Sequence, residues 1–121
     1  MISTARAALV SLLDDAGFRT FDYVPPNITP PCAIIFPADQ YIQSGETVGE
    51  YRVGYDVRIF AQNLTNENVT GVMDQYIEDA LIAVNDAPGF YLEGIPAPEM
   101  YAENASTFLG VQFTVFQLTR P

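Results

Sequence analysis

Carboxylates are the only reactive side chains this sequence supplies in quantity. Asp74 and Glu78 stand four residues apart in a stretch of helical periodicity, with Glu67 and Gly71 on the same stripe and Asp79 beside it. At that spacing two carboxylates project from one face of a helix, where they could bridge a divalent cation or act as an acid and base pair. Neither chemistry has its usual companions. The chain has no His, which removes the commonest general base, the triads built on it and most zinc sites. It has no Lys, and neither Gly45 nor Gly49 leads into a helix start, so a phosphate-binding P-loop is excluded. A solvated acidic helix face produces the same spacing. Glu67, Asp74, Glu78 and Asp79 are therefore read as an acidic surface, and no catalytic, cofactor-binding or metal-binding residue is assigned. Cys32 opens the apolar run Cys32-Ala-Ile-Ile-Phe36, has no second Cys to pair with, and reads as a small buried hydrophobe.

A second set of residues suits recognition. All five basic residues are Arg (Arg6, Arg19, Arg52, Arg58, Arg120), against 15 Asp and Glu, for a net charge of −10. That balance excludes a basic nucleic-acid footprint. Arg is weakly hydrated and forks its hydrogen bonds, which suits partly buried pairs and protein interfaces, although a genome rich in Arg codons gives the same bias. Tyr41, Ile42, Tyr51, Arg52 and Arg58 are the expected subunit interface. The strand that carries three of them has Tyr51, Val53, Tyr55, Val57 and Ile59 on one face, with Arg52, Asp56 and Arg58 on the other.

The elements that must position these residues follow from periodicity. Ala5, Ala8, Leu9, Leu12, Leu13 and Ala16 predict a helix from Ser3 to Ala16, stopped at Gly17. Phe18 to Val24 is extended and ends at Pro25-Pro26. The four prolines between Val24 and Pro31 predict a rigid connector outside any central ladder, with a proline-rich docking ligand as the functional alternative. Cys32 to Phe36 is a buried strand that Pro37 should end. Ala38 to Gly49, with Tyr41 and Ile42 on its rising side, predicts a projecting loop or hairpin arm. Glu50 to Gln62 would span about 40 Å fully extended, so it must twist, bulge at Gly54 or extend beyond the core.

Thr65 or Asn66 caps the next helix, in which Val69, Val72, Met73, Tyr76, Ile77, Ala80, Leu81 and Val84 repeat at i, i+3, i+4 and i+7. Asn85 to Gly89 ends it. Short extended pieces follow at Phe90 to Leu92 and Glu99 to Asn104, then a long strand from Thr107 to Thr119. That last strand is apolar on both faces, which predicts a central position or a second face covered by a neighbour. The fold class is α+β: an antiparallel or mixed sheet of four or more strands covered by two helices, with a projecting arm. At 121 residues, 49% of them hydrophobic, the chain has the length and apolar content of one folded domain. No apolar run approaches the roughly 20 residues that span a bilayer. The N-terminal residues lack the basic region and cleavage pattern of a leader, so synthesis in the cytoplasm is expected and the four Asn-X-Ser/Thr sequons are not read as glycosylation sites.

The order of these blocks carries a resemblance. Asp14-Asp-Ala-Gly-Phe18 closes the first helix, and Pro31-Cys-Ala-Ile-Ile-Phe-Pro-Ala38 leads into the arm. Gly49-Glu-Tyr-Arg-Val-Gly-Tyr-Asp-Val-Arg-Ile-Phe-Ala61, Asn66-Glu-Asn-Val69 and Gly110-Val-Gln-Phe-Thr-Val-Phe116 complete the series. Across nearly its whole length the chain resembles the tail terminator family of long-tailed bacteriophages, small α+β proteins also described as minor tail or tail completion proteins. The resemblance rests on pattern, order and length, since the family has no short invariant motif. It implies a structural virion protein: subunits assemble as a homo-oligomer, typically a hexameric ring, on the end of the tail tube. The ring stops tube polymerisation and offers a surface to the head-completion or connector protein at the head-tail junction. Genomic DNA passes through without specific binding, which an acidic lumen would favour, and neither cofactor nor membrane is involved. A head-completion stopper and a tail tube subunit are the neighbouring alternatives, and a carboxylate-based metal enzyme is the remote one.

Overall fold

The computed structural model describes residues 2–61, 69–103 and 106–119. Helix α1 runs from Ile2 to Asp15 and ends where Gly17 takes a positive φ of 104°. That conformation lets Phe18 N–H bond the Leu13 carbonyl (3.1 Å) and Gly17 N–H bond the Asp14 carbonyl (3.0 Å), capping the helix and driving Phe18 and Leu13 into the core together. Strand β1, Arg19–Phe21, follows at once and pairs in parallel with β2, Cys32–Ser44. The proline-rich stretch between them is a connector. Pro25 is buried and Ile28 packs against the sheet, while Tyr23 and Val24 stay exposed.

Pro37 does not end β2. It pairs with Tyr55 of β3, Tyr51–Phe60, and the strand continues to Ser44, so the arm is the outer half of a β2–β3 hairpin. Proline is tolerated there because β1 covers only Cys32 to Ile34, which leaves Pro37 on the edge of the sheet. The bulge also differs from the expectation. β3 keeps an unbroken register against β6, Ser106–Thr119, whereas Ala38 to Tyr41 of β2 are the extra residues between the pairs Pro37–Tyr55 and Ile42–Val53. Gly54 faces them. A Cβ at that position would stand 3.1 Å from the Gln40 carbonyl oxygen and 3.2 Å from Ala38 Cβ, so the missing side chain is what lets the bulge close down.

Helix α2, Val69–Asp86, buries Val69, Met73, Ala80 and Val84, and the expected cap at Thr65 or Asn66 lies outside the described residues. Strands β4, Phe90–Leu92, and β5, Glu99–Glu103, pair with the two ends of β6. Gly110 pairs both Phe60 and Glu99, which places β5 across β6 from β3 and makes β6 central, as its two apolar faces imply. The sheet order is β1-β2-β3-β6-β4 with β5 beside β6, curled and mixed because β1 alone is parallel. α1 and α2 cover one face, and the core lies between, from Leu9 and Leu13 through Val53, Tyr55, Val57 and Ile59 to Val111 and Val115. Each of these large apolar side chains contributes roughly 1.5–3 kcal/mol on full burial. The fold class read from the sequence is the one observed.

Candidate functional site

Among the described residues no helix crosses the second face of the sheet. Alternation along paired strands sends Phe36, Arg52, Asp56, Arg58, Gln112, Thr114 and Phe116 to that face, and all of them are half-buried. One end is closed by a small second core. Cys32, Ile34 and Phe60 are fully buried there beneath Phe21, Ile28, Tyr101 and Phe108, with Phe60 edge-on to both Tyr101 (6.0 Å) and Phe108 (5.7 Å). Burial pushes the Cys32 thiol up to about 11, against which nearby Arg19 pulls only weakly. A thiol held neutral in this way is a packing group, as its place in the sequence suggested.

Arg58 marks the border of that core. Its guanidinium lies 4.5 Å from the Tyr101 ring centroid and 5.3 Å from Phe36, and it donates to the Gln112 side-chain oxygen through Nε (3.0 Å) and Nη2 (2.7 Å). Gly110 makes room for this arrangement: a Cβ there would meet Tyr101 Cδ2 at 2.6 Å. Next along the face, Thr114 donates to Asp56 across the β3–β6 pair at 2.6 Å. Arg52 sits at the open end. It stacks 4.4 Å above Phe116, which itself stacks on Tyr91, and it donates to Gln43 through Nε (2.8 Å) and Nη2. Its Nη1 reaches the Tyr91 hydroxyl (3.4 Å) and lies 3.8 Å from Glu93. A cleft of about 380 Å³ runs between Arg52, Gln43 and the Asp39–Gln40 bulge on one side and Asp56, Gln112 and Thr114 on the other.

The expected interface residues therefore separate. Arg52 and Arg58 share the open face. Tyr41 turns to the helix side, where it accepts a 2.7 Å hydrogen bond from Arg6 Nη2 and meets the Tyr55 ring edge-on at 5.6 Å. That hydrogen bond holds the Arg6 proton more firmly, and burial foremost, then Tyr41, pushes the Tyr55 phenol well above its ordinary range. Ile42 and Tyr51 follow the same side as Val53 in the arm, Ile42 exposed and Tyr51 half-buried. The acidic set separates too. Asp74 and Glu78 are exposed on the outer side of α2, Asp79 accepts from Gln75 (2.9 Å) and lines a groove against α1, and Glu67 lies outside the described residues. Among the described residues no three His, Cys, Asp or Glu side chains cluster as a metal would require.

Gln112, Thr114, Phe36, Phe116, Tyr91 and Tyr101 complete the face, and sequence reasoning did not assign them to it. The signal was the polar alternation of the closing strand. What it lacked was the register, which sets Gln112 opposite Arg58 and Thr114 opposite Asp56. The resulting surface offers Arg forks and aromatic faces, the residue types concentrated at the centres of protein interfaces, together with amide and hydroxyl groups in fixed positions. Comparison with protein-family models gives no match, and neither does comparison with curated proteins.

Proposed function

We propose that this chain is a structural subunit of a phage tail, a tail terminator that closes into a homo-oligomeric, hexameric ring on the tail tube. In this reading the ring stops tube polymerisation and joins the tail to the head connector, and the chain has no catalytic role. The observation that supports it best is the second face of the sheet. Arg52 and Phe116 lie half-buried at an end of that face where no layer of described residues covers them, whereas on the other face Val53, Tyr55, Val57 and Ile59 are buried beneath the helices. A ring needs two different contact surfaces on each subunit, because head-to-tail interfaces are heterologous. The open face supplies one and the β2–β3 hairpin, with exposed Ile42 and Val48 at its outer end, supplies a second. The block order of the sequence supports the same reading. Asp74 and Glu78, exposed on α2, would line a lumen through which DNA passes without sticking.

Mass measurement and negative-stain imaging of the purified protein, alone and with tail tubes, test the proposal. Closed rings that cap tube ends are expected. Spontaneous tubes would identify a tube subunit instead, and a protein that stays monomeric at high concentration and with tubes present would overturn the ring.

A further inference from the structure

We propose that the groove between the C-terminal ends of α1 and α2 docks a cationic amphipathic helix belonging to a different protein. The groove holds about 440 Å³, with Leu12, Ala16 and Ile82 on its apolar surface and Asp15, Asp79 and Asp86 around it. Ile82 is 58% exposed, a large aliphatic side chain that nothing in the described fold covers. The electrostatics are one-sided. Both helices end here, neither has a basic residue in its last turn, and the negative ends of two helix dipoles add to three carboxylates.

A second copy of this chain is the wrong occupant. Its two helices carry one basic residue between them, Arg6, which already bonds Tyr41, so a second copy offers no cationic helix to this groove. A bare metal ion is also a poor match, because the carboxylates ring an apolar floor and do not converge on a point. An amphipathic helix matches both features. Its Leu or Ile anchors at i and i+3 or i+4 would cover Leu12 and Ile82, while flanking Lys or Arg stems cross the apolar surface and place their charges on the Asp rim. This inference goes beyond the ring reading and does not depend on it.

The test uses the full chain and a synthetic helical peptide with Leu on one face flanked by Lys, followed by calorimetry and by amide shifts in nuclear magnetic resonance. Two control peptides replace Lys by Glu or Leu by Ser. The Leu/Lys peptide should bind, shift the amides of Leu12 to Ala16 and Ile82 to Ala87, and lose affinity as salt rises. Both control peptides should bind at least ten-fold more weakly. The combined Asp15→Asn, Asp79→Asn and Asp86→Asn variant should weaken binding ten-fold or more, and Ile82→Ser several-fold, with thermal melts confirming that both variants stay folded. Unchanged affinity in the Asn variant, shifts centred on Asp74 and Glu78, or no binding up to about 1 mM peptide would overturn the proposal. Calcium alone shifting the groove residues, without peptide binding, would overturn it in favour of a metal site. Ring formation is scored separately by mass, so loss of rings with peptide binding intact counts against the ring reading only.

Discussion

Two residues show how far side-chain type determines role. Cys32 was legible as a packing group because it opens an apolar run, and it lies buried with Ile34 and Phe60, its thiol pushed up to about 11. The native protein should therefore react with a thiol reagent at pH 8 far more slowly than the same protein in denaturant. The linkage has a definite sign. A thiol raised from 9.0 to about 11 contributes stability that is fully present below pH 9 and lost as pH rises toward 11, and Cys32→Ala should remove that part of the alkaline decline in urea midpoint. Arg58 was legible as an interface candidate, but its partners were not. It lies near Phe36 and Tyr101 and bonds Gln112, residues brought to it from three other strands. Arg58→Ala should cost about 2–4 kcal/mol in urea unfolding, from two cation–π contacts of about 0.5–1 kcal/mol each and two hydrogen bonds of similar size. Arg58→Lys should recover only part, since an ammonium cannot both stack and fork.

Helices were read more accurately than strands. α1 and α2 follow from i, i+3, i+4 repeats that need no knowledge of partners, and Gly17 marks the end of α1 because its positive φ suits glycine. Both helices carry acidic residues at the end where the dipole disfavours them, Asp15 on α1 and Asp86 on α2. Asp15→Asn and Asp86→Asn should each raise stability by about 0.3–1 kcal/mol at low salt, seen as an increase in Tm that shrinks when salt is added. The strands depended on their neighbours. Pro37 reads as a strand terminus, yet an edge position without an outer partner needs no amide there. Gly54 reads as a bulge residue, yet the extra residues belong to β2 and Gly54 only yields space. Gly110 plays the same part beneath Tyr101. Gly110→Ala should cost roughly 1–3 kcal/mol in urea unfolding and release Tyr101 from Arg58, detectable as increased exposure of the tyrosine ring by ultraviolet absorbance.

The two faces of the sheet set the character of the whole molecule. One is apolar and packed against the helices, and the other passes from a small second core at Phe60 to an open, Arg-lined and aromatic end at Arg52. In the ring reading that open end is where a neighbouring subunit finishes the packing. Arg52→Glu should then leave the monomer folded, with unchanged helical circular dichroism and a modest loss of stability. It should also abolish ring formation in mass measurements, because like charge at an interface costs several kcal/mol. Rings that form normally with this variant would move the subunit contact elsewhere on the surface.

The sequence alone determined the helices, their apolar faces, the α+β class and the separation of Val53, Tyr55, Val57 and Ile59 from Arg52, Asp56 and Arg58, since these are periodicities along the chain. Only the tertiary structure decided which strands are neighbours and in what register. That step joins Arg58 to Gln112 and Thr114 to Asp56, turns Tyr41 under α1, and sets Asp15, Asp79 and Asp86 around one groove. The physical reason is that a strand's alternation specifies its two faces, while its hydrogen bonds come from whichever strand lies beside it.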